Sequence, residues 1–156
     1  MTKNEIDTLL SKAIKLIPPK KPPELPKDRY GTPRWHEYEH DMWRIGENVR
    51  QILLSDKKAE LSEEQIEKVV FIINNPPANR GRQSFIWLLG KRKYAHFAPR
   101  IIGQIYDDNI SLHIFDTIYK MRAIGYDKEV SEFEKRFKPL ASDRRKIKRY
   151  LSSFQT

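Results

Sequence analysis

The chain has 156 residues and no cysteine, enough length to bury a core without staples, and the composition excludes a disulfide or thiolate-metal framework. No apolar run approaches the roughly 20 residues a membrane helix needs, and the first residues lack a basic stretch followed by an apolar one. A cytoplasmic protein with no membrane span and no targeting segment is therefore expected. The net charge of +9 is one-sided, because residues 1–77 carry 13 basic and 13 acidic side chains while residues 78–156 carry 17 and 8. That asymmetry points to an anionic partner, such as an acidic protein, nucleic acid or anionic lipid, and says nothing of the fold.

In chain order, Thr2-Lys3-Asn4-Glu5 forms a capping-box pattern, and Ile6, Leu9, Leu10, Ala13, Leu16 and Ile17 supply the apolar face of a first helix. Pro18, Pro19, Pro22, Pro23, Pro26 and Pro33 then exclude helix, since each fixes φ and lacks a backbone donor. The expected structure is a stiff strap packed on the domain's own aromatic residues, with a docking segment for an aromatic-lined groove as the alternative. From Arg34 to about Leu54, the residues Trp35, Tyr38, Met42, Ile45, Val49 and Ile52 recur at spacings of three and four, the seam of a packed helix. Ser62-Glu63-Glu64-Gln65 opens a third, largely buried helix that Asn74-Asn75-Pro76-Pro77 stops. Further helices are expected at about 81–92, 95–107, 110–124, 128–138 and 143–154, divided by Gly90, Asp107-Asp108-Asn109, Gly125 and Pro139.

No alternating run is long enough for a sheet, so the fold class is all-α. A single domain is expected over 1–156. Its parts are an N-terminal helix and Pro-rich connector over 1–33, a helical core over 34–138, and a basic C-terminal helix over 139–156.

Within the core, Arg82-Gln83-Ser84-Phe85-Ile86-Trp87-Leu88-Leu89-Gly90 resembles the second helix of a HEAT-like repeat, with an Arg near its start and a Leu-Gly close. Phe97-Ala98-Pro99-Arg100-Ile101-Ile102-Gly103-Gln104-Ile105-Tyr106-Asp107-Asp108 is similar to a first helix with its proline and terminal Asp. The run 62–138 would then hold two helix pairs and part of a third. Ser111 or His113 stands where the family favours Arg, and Phe85, Trp87 and Tyr119 where small residues are usual. The resemblance implies a short α-solenoid capped by the N-terminal helices, with an irregular helical bundle as the alternative. It also implies a surface that binds protein or nucleic acid.

The one sharp catalytic pattern is His36-Glu37-Tyr38-Glu39-His40, an H-E-x-x-H segment, with Glu60 in the place of a third ligand as in the gluzincin peptidases. Three considerations oppose a zinc-dependent hydrolase. Glu39 and Asp41 flank His40 with charge, the two imidazoles fall opposite the Trp35/Met42/Val49 seam, and no strand is present to bind a substrate backbone. A solvated helical face is expected instead, with no cofactor. His40-Asp41 lacks the separate upstream His of HD-type phosphohydrolases, and His96 and His113 read as core or surface histidines. Trp43 shares the face of His36 and His40, either beneath the strap or as an exposed contact for a partner.

Two basic clusters remain as candidate partner-binding residues. The first is Arg80, Arg82, Lys91, Arg92 and Lys93, at the two ends of one expected helix. The second is Lys135, Arg136, Lys138, Arg144, Arg145, Lys146, Lys148 and Arg149, interleaved with Phe133, Phe137, Tyr150 and Phe154. The expected function is a non-enzymatic, protein-binding module of adaptor, inhibitor or immunity type whose partner is acidic. Nucleic-acid binding through the basic C-terminal half is the alternative.

Overall fold

A computed structural model describes residues 2–153, all helix and connecting loop with no strand among them. They fall into two compact units, divided between Leu88 and Leu89. Among the described residues, no helix is long and apolar enough to cross a membrane.

The first unit contains α1 (Thr2–Leu16), α2 (Glu37–Ser55), α3 (Glu63–Ile73), a kinked 3-10 segment (Pro76–Arg82) and the short α4 (Gln83–Trp87). Helix α1 packs on α2 and α3 through Ile6, Leu10 and Ala13, all buried. The Ser62 cap forms as its sequence pattern requires: Gln65 N–H donates to Ser62 Oγ at 3.2 Å, and Ser62 N–H donates to Gln65 Oε1 at 2.8 Å. The Gln65 amide also reaches α1, donating to the Lys3 carbonyl and the Asp7 carboxylate. Helix α2 crosses α4 at Gly46, where any Cβ would sit 2.0 Å from Ser84 Oγ and 2.7 Å from Ser84 Cβ. The crossing therefore excludes side chains at position 46.

The second unit contains α5 (Ala98–Ile101) between two 3-10 segments (Arg92–Phe97 and Ile102–Tyr106), then α6 (Ser111–Met121), α7 (Asp127–Phe137) and α8 (Ala141–Ser153). Its core is aromatic: the Phe115 ring on α6 stacks on Phe133 of α7 at 5.6 Å and meets Tyr150 of α8 edge-on at 6.3 Å. Tyr150 is fully buried, and its hydroxyl donates to the Ala123 carbonyl at 2.6 Å while accepting from Tyr126 N–H at 3.3 Å. These bonds fasten α8 to the turn after α6.

The helices expected at 81–92 and 95–107 are broken instead. Pro76-Pro77 sets a 3-10 start, Asn79 turns with φ 51° and ψ −133°, and only five residues of α4 follow. Pro99 sits in the first turn of a four-residue α5, and 3-10 geometry takes over from Ile102 to Tyr106. The turns of both α6 and α7 end on left-handed residues, Arg122 at φ 55° and Lys138 at φ 51°. Glycine usually takes that position because a Cβ is strained there. Lys138→Gly should therefore raise stability by about 1 kcal/mol. A thermal midpoint that falls would contradict a strained Lys138.

Tyr38 and Tyr150 are both pushed up to about 12, burial being the main cause in each. An unfolded tyrosine ionises near 10. Between pH 10 and 12 the unfolded chain has lost these protons and the folded chain keeps them, so stability is intact below pH 10 and falls as pH rises. A thermal midpoint that stays level from pH 10 to 12 would refute this.

Candidate functional site

The expected positions of the basic residues resolve into three different environments. Arg82 is 0% exposed, and its guanidinium bonds the Asn79 carbonyl through Nε at 2.8 Å and the Ile73 carbonyl through Nη1 at 3.1 Å. The expectation that it is displayed to a partner is corrected: it ties the end of α3 to the start of α4, satisfying a carbonyl that the terminating helix leaves open. Arg80 is 8% exposed and lies between two carboxylates, with Nη1 3.5 Å from Glu39 and Nη2 3.3 Å from Glu24. Neither arginine presents a cationic surface.

The centre of this arrangement is Glu39, 0% exposed in the first turn of α2. Its Oε2 accepts from His36 N–H at 2.7 Å, which caps the helix, and its Oε1 accepts from Arg80 N–H at 3.1 Å. Arg80 carries the chain of contacts on to Glu24 in the Pro-rich segment. The same segment is held by His36, whose Nε2 donates to the Pro23 carbonyl at 2.8 Å. Tyr38 adds a bond from its hydroxyl to the Pro77 carbonyl at 2.9 Å. The polar pins at Pro23 and Glu24 make the segment a strap over the start of α2, and beyond them the exposed Asp28–Thr32 turn is closed by Asp28 Oδ1, which accepts from Tyr30 and Thr32 N–H.

These contacts also involve the H-E-x-x-H segment. His36 precedes the helix as its N-cap and not a helical residue, with its ring nitrogen on Pro23. His40 stacks on Trp35 with ring centroids 5.1 Å apart. Glu60 is exposed in the connector between α2 and α3. Among the described residues no three His, Asp or Glu side chains are grouped to hold a metal ion. Trp43 is half-buried on α2.

In the second unit, Lys91, Arg92 and Lys93 are all exposed around the start of its first 3-10 segment, with the Lys93 ammonium 5.1 Å from the Tyr94 ring centroid. Lys146 is drawn inward, its ammonium 3.0 Å from Asp116 on α6, which Lys120 also approaches at 3.2 Å. Burial pushes the Asp116 carboxyl up, but the bond from Lys146 and the charges of both lysines outweigh it and hold the group below its ordinary value. Lys146 thus joins α8 to α6. Arg136 is likewise engaged, donating to Asp108 at 2.9 Å and to the Ile105 carbonyl at 2.7 Å. Half-buried His113 is shifted toward its neutral form by burial.

Lys135 and Lys138 at the end of α7 are exposed, and the largest set of exposed cations on one helix is the outer face of α8. Ile147 and Tyr150 point inward and are buried, while Arg144, Arg145, Lys148 and Arg149 are exposed and form no ion pair among the described residues. At about 100° per residue, the four lie within an arc of about 140° opposite the buried side. From residue 144 to 153 the sequence has no acidic residue. The acidic residue of α8 is Asp143, half-buried in its first turn, and Glu134 of α7 borders a groove with Arg144, Lys148, Leu151 and Ser152. Phe133 and Tyr150 are buried and Phe137 half-buried, so these aromatic residues belong to the core and not to the cationic face; Phe154 lies outside the described residues. The second unit holds 15 basic and 8 acidic side chains, against 15 and 13 in the first, so it carries most of the excess charge.

Compared with known proteins, the chain matches no family model, no curated protein and no solved structure.

Proposed function

We propose that the chain is a non-catalytic interaction module whose working surface is the outer face of α8 and whose partner is a polyanionic macromolecule. The observation that carries this reading is the segregation on α8: four exposed cations on one side, and the core-forming Ile147 and Tyr150 on the other. A helix surface needing only solvation would tolerate interspersed acids, as α7 does with Glu129, Glu132 and Glu134 among its cations. The His36 and His40 imidazoles, engaged separately with Pro23 and Trp35, favour binding over metal-dependent hydrolysis.

The HEAT-like reading of 62–138 accompanies this proposal. Arg82, the arginine on which the resemblance rests, links the end of α3 to α4 and so supports treating those two helices as a pair.

Retention on an immobilised sulfated polysaccharide at increasing salt tests the reading. The R144E/R145E/K148E/R149E variant should lose retention, while K91E/R92E/K93E should elute only slightly earlier than the parent chain. Equal losses would show that bulk charge, and not the α8 face, governs association.

A further inference from the structure

We infer that the polyanion received by α8 is a DNA duplex, held through its phosphate backbone; the inference rests on the α8 reading above and names its partner. The first argument is what the face lacks. Protein interfaces derive their affinity from aromatic, aliphatic and arginine anchors seated in packed, desolvated apolar surroundings, and lysine is depleted at their cores. The exposed arc of α8 has cations and small residues: Ile147 and Tyr150 are buried, Leu151 is half-buried at the edge of the arc beside Arg144 and Lys148, and exposed Leu140 precedes the first turn. An acidic protein would find charge there but, beyond the edge of Leu151, little apolar surface to desolvate.

The second argument is spacing. Arg144 with Lys148, and Arg145 with Arg149, form two rows in which partners are four residues apart, about 6 Å along the axis at a rise of about 1.5 Å per residue. Between the rows lie Ala141 and Ser152, both exposed and short. A helix about 10–12 Å across fits a B-DNA major groove about 12 Å wide, so one row meets the phosphates of each groove wall while the small residues allow close approach. Double-stranded RNA has a deep, narrow major groove that does not admit such a helix. Single strands are held by aromatic stacking platforms, and no aromatic side chain lies on this arc among the described residues. With no side chain on the arc suited to bidentate base reading other than the phosphate-directed arginines, binding should be independent of sequence.

Charge neutralisation makes the inference quantitative. Four phosphate contacts predict a slope of log K against log salt of about −3.6, or binding about 150-fold weaker at 200 mM than at 50 mM salt. The test titrates the full chain against labelled duplex DNA of scrambled sequence, a duplex RNA and a single-stranded DNA of equal length, and polyglutamate, over 50 to 200 mM salt. The expected result is tightest binding to duplex DNA, with each of R144A, R145A, K148A and R149A lowering the slope by about 0.9 while the helical circular dichroism is unchanged. Polyglutamate bound more tightly than duplex DNA would overturn the DNA assignment and leave the α8 reading standing, as would preference for RNA or single strands. No binding to any of the four, or slopes unaffected by the α8 variants, would end both.

Discussion

Replacing Glu39 by alanine should destabilise the first unit by about 3–5 kcal/mol, the range for removing one member of a buried ion pair. The size follows from how much one carboxylate holds. It caps α2 at His36 N–H, receives Arg80 N–H and faces the Arg80 guanidinium, all with no exposure to solvent. Its loss leaves a buried amide and a nearly buried cation without those partners, and Arg80 keeps only the half-exposed Glu24. Since small domains are stable by about 5–15 kcal/mol in total, the variant should be unfolded or close to it. Glu39→Gln retains acceptor and shape but not charge, and should fall between the two. Urea unfolding of the three proteins measures this. A loss below about 1 kcal/mol in Glu39→Ala would mean that the network adds little to the fold.

Gly46→Ala should cost about 3 kcal/mol, the upper part of the range for overpacking, although alanine is the better helix former by about 1 kcal/mol. Rotation of the Ser84 side chain could relieve the 2.0 Å approach to its Oγ, but the 2.7 Å approach to its Cβ requires α2 and α4 to separate. The Ser84→Gly background removes both atoms, so the same substitution at position 46 should cost much less there. The resulting coupling in a double-mutant cycle should exceed about 1 kcal/mol. Additive effects would refute a direct contact between these two positions.

How much of this was legible in the sequence depended on whether the partners are local. The seam of α2, the Ser62 cap and the end of α7 were readable because each is set by residues within a few positions of one another, whereas α6 ends at Met121, short of the expected Gly125, because Arg122 takes the left-handed position. Glu39 was not. Beside His40 it resembled one more charge on a solvated helix, and its partner Arg80 lies 41 residues further on. Arg82 was misread for a related reason: in a strongly basic chain an arginine is taken as surface, and only the open carbonyls at Ile73 and Asn79 explain its burial. The broken helices at 76–87 and 92–106 carried a visible signal in Pro76-Pro77, Gly81, Pro99 and Gly103, outweighed by apolar content on either side. The cationic face on α8 was half legible. Its charge was evident, but the assignment of Lys146 and Arg136 to internal ties required the positions of Asp116 and Asp108.

The central claim, that α8 is the binding face, is tested most directly by arginine-selective modification with and without bound duplex DNA, read residue by residue by mass spectrometry. The account predicts that Arg144, Arg145 and Arg149 become protected on binding while Arg44, Arg50 and Arg92 stay reactive, with buried Arg82 unreactive in both states. Protection centred on Arg92 with the α8 arginines still reactive would contradict it.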